Sequence, residues 1–185
     1  MGLSIRVATR ADLPALREVM NDAIAVLQKG FLTEDQIESS RTVMGLDTQL
    51  VDDGTYFVVE ADGEIAGCGG WSRRATLYGN DSTGGRDAHL LDPATDPARI
   101  RAMYTAPAFA RRGVGWLILE ECERAAAVEG FTRMELMGTM SGLPLYRKFG
   151  FVDVEAVPDA RVGDTSSGAP VPCVRMSRPV RVPRS

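Results

Sequence analysis

At 185 residues the chain is long enough to bury a substantial core without disulfides or a structural metal, and residues 1–185 are expected to form a single domain. The 44% hydrophobic and 25% charged residues are ordinary for a globular protein, no stretch approaches the roughly 20 apolar residues of a membrane helix, and "MGLSIRVATR" lacks a signal-peptide pattern, so a cytoplasmic protein without membrane contact is expected. A net charge of −4 argues against general nucleic-acid binding, and Cys68, Cys122, Cys173 and the single His89, spread without CxxC spacing, argue against a zinc site or a disulfide framework. The cysteines read as small buried hydrophobes.

"LSIRVA" alternates like a strand, and "TRAD" has the form of a capping box opening a helix in which Leu13, Leu16, Met20, Ala23, Ile24 and Leu27 share a face until Gly30. Thr33 and Gln36 make a second capping box, predicting a shorter helix to about Met44, before Gly45. "TYFVVEADGEIAGCGGWS" holds two strand-like runs around Asp62-Gly63, a dipeptide favoured in tight hairpins. Ser72 to Ala98 is polar and irregular, a surface excursion of the kind that carries function or mobility. A strand follows from Ile100 to about Thr105, and Val114, Leu117, Ile118, Cys122, Ala125 and Ala126 form the inward stripe of a helix ended by Gly130. "TRMELMG" reads as a strand, "SGLPLYRKFGF" as a short helix started by Ser141 and stopped by Gly150, and "FVDVEAV" and "PCVRMSRPV" as two last strands flanking a Gly/Ser/Pro-rich loop. Arg178, Arg181 and Arg184 make the extreme C-terminus locally basic, a tail expected to be solvated and frayed. This order implies an α/β (α+β) mixed sheet with helices on its faces, and a right-handed crossover makes the strands on either side of the 113–129 helix parallel.

Between the "RIRAMYTAP" strand and that helix stands "ARRGVGW". A helix start exposes backbone N–H groups without intrahelical partners and favours anions, glycines admit a phosphate close to the main chain, and arginines add charge. A nucleotide-hydrolase P-loop requires Gly-Lys-Ser/Thr, but Gly115 is followed by Trp116 and Leu117. A dinucleotide fold requires a third glycine where Ile118 stands, although Glu135 imitates its ribose-binding acid.

The turn resembles the signature of the GCN5-related N-acetyltransferases (GNAT): Gln or Arg, two residues, Gly, one residue, then Gly or Ala. Gly113 and Gly115 match it, Ala110 stands at the Gln/Arg position, and Arg111 and Arg112 keep cations beside it. "LPLYRKFGF" is similar to the family's late segment, with a tyrosine before Gly-Phe, and the resemblance covers about residues 3 to 180. It implies a mostly antiparallel sheet of about six to seven strands with a central parallel pair, and acetyl-coenzyme A as acetyl donor, with no metal. It also implies that Arg111, Arg112, Gly113, Val114, Gly115 and Trp116 hold the pyrophosphate, while the main chain of Met103, Tyr104 and Thr105, on a strand splayed from its neighbour, receives the pantetheine and the thioester carbonyl.

Acyl transfer to an amine requires a neutral amine, a stabilised oxyanion and a proton for the departing thiolate. Tyr146 matches the family's general acid, the alternative being an aromatic that only orders the pantetheine arm. Glu60 is a weak candidate base and His89 a weaker one, while an amine already deprotonated in solution needs neither. Phe31, Tyr78 and Trp71 are candidates to wall the acceptor pocket, with core packing the favoured role for Trp71. The reading is an N-acetyltransferase working by direct attack in a ternary complex on a small-molecule or peptide primary amine, with a non-catalytic acyl-coenzyme A binding or sensing domain as the alternative. The late strands and the tail are candidate homodimer elements by fold analogy alone.

Overall fold

The computed structural model describes residues 2–181. Strand β1 (Leu3–Val7) leads into the first capping box, where the Thr9 N–H donates to Asp12 Oδ2 at 2.7 Å, and through one 3-10 turn into α1 (Leu13–Leu27). The second box forms between Thr33 and Gln36 and starts α2, but α2 spans Glu34–Ser40 and stops short of the predicted end near Met44. The reason lies in partners far along the chain. Asn80 Nδ2 donates to Met44 O at 3.2 Å, and the Tyr104 hydroxyl accepts from Gly45 N at 2.7 Å and donates to Gly45 O at 2.9 Å. Main-chain groups satisfied from outside have no need of another helical turn. Asp47 then caps α3 (Thr48–Asp52), a helix too short to leave a periodic signal.

The predicted hairpin forms between β2 (Tyr56–Ala61) and β3 (Glu64–Ser72), with positive φ at both Asp62 (52°) and Gly63 (86°), as the tightest hairpin turns require. Next come β4 (Ala98–Thr105), α4 (Val114–Val128), β5 (Arg133–Thr139), α5 (Leu143–Phe149), β6 (Val152–Val157) and β7 (Cys173–Pro179). The seven strands lie in the order β1-β2-β3-β4-β5-β7-β6, antiparallel except for the central pair β4 and β5. This is the mixed sheet with a central parallel pair that the resemblance implies. One face is covered by α4 and α5, with Ile118, Leu119, Cys122 and Phe149 packed on Phe57, Val59, Met134 and Leu136. The other is covered chiefly by α1, with Leu16 and Ile24 over Val58, Cys68 and Tyr104. Among the described residues no helix is long and apolar enough to cross a membrane.

Two expectations near the C-terminus are corrected. Gly142, not Ser141, precedes α5, because the Ser141 hydroxyl is spent on Gln28 Oε1 at 3.1 Å. Arg178 is not in a frayed tail: it is buried on β7, paired with Glu123 at 3.0 Å, donating to Phe149 O at 2.6 Å and stacked 4.6 Å from that ring. Arg181 is held to the same Glu123 through its backbone N–H at 2.7 Å. Arg184 lies outside the described residues.

The sheet is interrupted where it matters for function. β4 and β5 pair only at Ala98↔Met134 and Arg99↔Glu135 and then part. Within the same stretch, Cys68↔Tyr104 and Gly70↔Arg101 leave Gly69 facing two residues of β4, Ala102 and Met103, which is a bulge. Ala102 there takes φ 49°, a left-handed conformation unfavourable for any residue with a Cβ, and the buried Tyr56 hydroxyl donates to its carbonyl at 2.6 Å. The glycines of β3 let this irregular strand and α4 come close. A Cβ on Gly67 would lie 2.5 Å from Val114 Cγ1 and 2.7 Å from Tyr104 O, and one on Gly69 2.8 Å from Met103 Cγ.

Gly67→Ala therefore forces main chain and helix apart. It is expected to destabilise the fold by about 1–3 kcal/mol, the usual cost of overpacking, read as a lower denaturant midpoint at unchanged slope. An unchanged midpoint would contradict the close approach.

Candidate functional site

Beyond β4 the chain makes a 3-10 turn at Pro107–Phe109 and then curls through Arg111 (φ 65°) and Gly113 (φ 87°) into α4. The two left-handed residues turn the main chain so that the first N–H groups of α4, which have no intrahelical partners, face outward. The two glycines differ in purpose. A Cβ on Gly113 would meet nothing within 4 Å, so an absent side chain there leaves open space against the main chain. A Cβ on Gly115 would lie 2.6 Å from Leu145 Cδ2, so that glycine also lets α5 pack beside α4.

This turn forms one end of a cleft of about 580 Å³ that continues into the gap between β4 and β5. Met103, Tyr104, Thr105, Arg111, Gly113, Val114, Gly115, Trp116 and Tyr146 all line it. Arg112 does not: its guanidinium lies over the Phe109 ring at 5.8 Å. Tyr104 reaches the cleft although its hydroxyl is committed to Gly45. Trp116 stands edge-on to Phe149 at 4.8 Å and donates from Nε1 to Glu120 Oε1 at 2.9 Å.

Tyr146, on α5, also lines a second, smaller cavity of about 70 Å³ shared with Val43, Tyr78, Ala102, Met137 and Cys173. The residue thus borders both spaces. Burial pushes its phenol up to about 12, and the Cys173 thiol likewise to about 12. Both hold their protons at neutral pH.

Of the other residues singled out in the sequence, Phe31 lines the cleft and Tyr78 the smaller cavity. Trp71 is buried in the core edge-on to Phe131 at 5.8 Å. Glu60 lines neither space; it accepts from Arg6 at 3.0 and 2.9 Å across the β1–β2 pair. His89 is exposed and paired with Asp87 at 2.6 Å, and it too lines neither. No Asp, Glu or His is among the described residues lining these two spaces, and no described cluster of such side chains could hold a metal ion. The sequence did not point to a polar string on the cleft wall: Ser141 Oγ donates to Gln28 Oε1 at 3.1 Å and lies 3.4 Å from Thr139 Oγ1. Gln28 and Ser141 are 113 positions apart, and a lone glutamine at a helix end gives no pattern to read.

Residues 17–151, well over half the chain, match the acetyltransferase (GNAT) family. The chain belongs to that family. No curated protein matches it by sequence. Among solved structures, the PaiA N-acetyltransferase of Thermoplasma acidophilum, in complex with coenzyme A, superposes with TM-score 0.64 at 17% identity, over 97% of this chain and 99% of its own. yncA of Salmonella typhimurium, solved with acetyl-CoA, gives TM-score 0.62 at 17% identity over 100% and 98%. The ribosomal-protein-S18-alanine N-acetyltransferase of Escherichia coli gives 0.59 at 16% over 98% and 96%. At these identities the likeness shows the GNAT fold.

All four tyrosines, Tyr56, Tyr78, Tyr104 and Tyr146, are displaced upward by burial. The folded chain therefore keeps phenolic protons that the unfolded chain releases near pH 10, and stability falls as pH rises from about 10 towards 12. Alkaline titration is expected to show less tyrosinate absorbance at pH 10 in the folded than in the unfolded chain, and a rise that accompanies unfolding. A tyrosine ionising at its ordinary value in the folded protein would contradict this.

Proposed function

We propose that residues 1–185 form one N-acetyltransferase domain that moves the acetyl group of acetyl-coenzyme A directly to a primary amine. The observation that carries this reading is the position of Tyr146, which borders both the large cleft running to the α4 turn and the small cavity across the strand gap. Two of the structurally similar acetyltransferases were solved with coenzyme A or acetyl-CoA, which supports the same donor here. The residues fit it: Gly113 leaves a cradle that a Cβ would fill, the α4 N–H groups stand over it, and Arg111 lines it.

When bound, acetyl-coenzyme A supplies an acetyl thioester open to attack by an amine. The chain's own part is to position and to compensate charge. Gly113, Val114, Gly115 and Trp116 offer main-chain donors to the pyrophosphate, and Arg111 adds a cation. Backbone groups of Met103, Tyr104 and Thr105, freed where β4 leaves β5, receive the pantetheine arm and the carbonyl oxygen as it gains charge. Tyr146 donates to the departing sulfur. A phenol at about 12 is a weaker acid than a thiol near 8.5, so its service is a hydrogen bond to that sulfur as negative charge develops, while the phenol keeps its proton and the departing thiolate takes one from water. Cys173 borders the small cavity, but a thiol that keeps its proton is a poor nucleophile, which favours direct attack over an acyl-cysteine route. With no carboxylate or imidazole among the described lining residues, the amine gives its proton to water or enters neutral.

Release of free thiol from acetyl-coenzyme A across a panel of polyamines, amino acids and peptides tests the reading. A chain that binds the coenzyme but never turns it over would instead be the non-catalytic domain. Once an acceptor is found, Tyr146→Phe should lower turnover by about 10²-fold with little change in coenzyme affinity. Retention of more than about half the parent rate, with chemistry limiting, would remove the donor role.

The two turn arginines are expected to separate in calorimetric titrations with coenzyme A. Arg111→Ala should weaken binding by about 1–3 kcal/mol, and Arg112→Ala, outside the lining, by clearly less. Equal losses would contradict the placement of Arg112 over Phe109.

A further inference from the structure

The 72–98 excursion, which the proposed reaction does not explain, covers a third cavity of about 220 Å³ that shares no lining residue with the large cleft. Its lining contains three arginines, Arg74, Arg86 and Arg101, and a single acid, Asp47. Asp53, outside the lining, neutralises Arg74 through two bonds, Nε to Oδ2 at 2.7 Å and Nη2 to Oδ1 at 2.9 Å. Arg86 and Arg101 have no such separate partners: both donate to the same oxygen, Asp47 Oδ2, at 2.5 and 3.1 Å. The other Asp47 oxygen is occupied by the Gln49 N–H at 3.1 Å. Arg101, with a side chain only 2% exposed, also donates to the neutral carbonyls of Thr76 and Gly79. One carboxylate thus serves two guanidiniums, and the cavity wall carries an excess positive charge in a largely desolvated place, an arrangement that costs free energy unless an anion offsets it.

Of the three hydroxyls on the wall, Thr76 Oγ1 already donates to Asp87 O at 2.6 Å, but Ser72 and Thr83 have the matching polarity. Ser72 Oγ accepts from Arg74 N, and Thr83 Oγ1 accepts from Asn80 N, each at 3.0 Å. With a lone pair so engaged, each hydroxyl keeps its proton to donate. Two partly exposed guanidiniums, a buried one and two hydroxyl donors face a space several water volumes in size.

We propose that this cavity binds a small oxyanion, the carboxylate or phosphate group of a low-molecular-weight ligand, at a site separate from the donor cleft. Arg86 and Arg74 hold the anion and Arg101 backs it. The site adjoins the small cavity beside Tyr146, since Arg101 lines both and grips the Thr76 and Gly79 carbonyls, and Tyr78 and Gly79 wall that cavity.

The full chain is titrated with inorganic phosphate and, separately, with acetate, at constant ionic strength, with and without saturating coenzyme A, while the side-chain Nε–H resonances of the arginines are followed by NMR. Saturable shifts at Arg74 and Arg86 that persist with coenzyme A present are expected, with one of the two anions binding more tightly and so identifying the group preferred. Arg86→Gln should weaken that binding by about tenfold, the scale of one charge-assisted hydrogen bond, while leaving coenzyme affinity unchanged. Shifts that grow linearly without saturating for both anions, shifts confined to Arg111, or unchanged binding in a folded Arg86→Gln protein would each overturn the site. Should that variant not fold, the parent titration decides alone, because saturation at the Arg74 and Arg86 signals needs no variant.

Discussion

The parting of β4 from β5 after two paired positions is the constraint on which the rest of the site depends. A parallel pair hydrogen-bonded along its full length would seal the sheet's centre. Here the bulge opposite Gly69 redirects β4, and Ala102 is held in a left-handed conformation by the Tyr56 hydroxyl at 2.6 Å. Strain of this kind persists only where the surroundings over-determine it, and here they do: Tyr56 is fully enclosed, and the β3 glycines leave no room for another path. Beyond Arg99 the strand has no ladder partner on its β5 side among the described residues, and its Met103, Tyr104 and Thr105 border the large cleft.

The two sides of the gap are built by different means. The donor side is made of regular structure, the start of α4 and the face of α5, locked by packing and by the Arg178–Glu123 pair that ties β7 to α4 beneath Phe149. The other side is made of loops tied to the sheet by Tyr104 to Gly45 and Arg101 to Thr76, Gly79 and Asp47, and to each other by Asn80 to Met44. Loops on a rigid scaffold can vary in side chain without disturbing the scaffold.

That division also explains what could be read from the sequence. The Asp62-Gly63 hairpin, both capping boxes and the glycine turn before α4 were legible because each is decided within a few residues. The end of α2 was not, since Asn80 and Tyr104 supply the partners that replace its last turn. Arg178 read as part of a basic tail because nothing near it in sequence announces Glu123 and the Phe149 ring. The bulge at Ala102 left no mark in "RIRAMYTAP", as alanine is a residue that sequence rules place almost anywhere but in a left-handed strand position. Arg111 and Arg112 are chemically identical neighbours, and only the positive φ at Arg111 turns one into the cleft and leaves the other over Phe109.

The polarity of the reaction space follows from the same architecture. A carboxylate in the gap would need hydrogen-bonding partners of its own, and no described residue lining the two spaces brings one there. Charges nearby are held in pairs: Arg101, which lines the small cavity, faces Asp47 beneath the excursion, and Glu135 on β5 is paired with Arg99 and Arg175. The described residues lining the cleft and the small cavity include no acid, their charged members being Arg101, Arg111 and Lys148, and burial drives Tyr146 and Cys173 towards their protonated forms. On the proposed reading, such a space offers N–H and O–H donors to developing negative charge and no carboxylate to hold a cationic amine, which favours an amine that arrives without its extra proton and meets donors that act on the charge developing as the new bond forms.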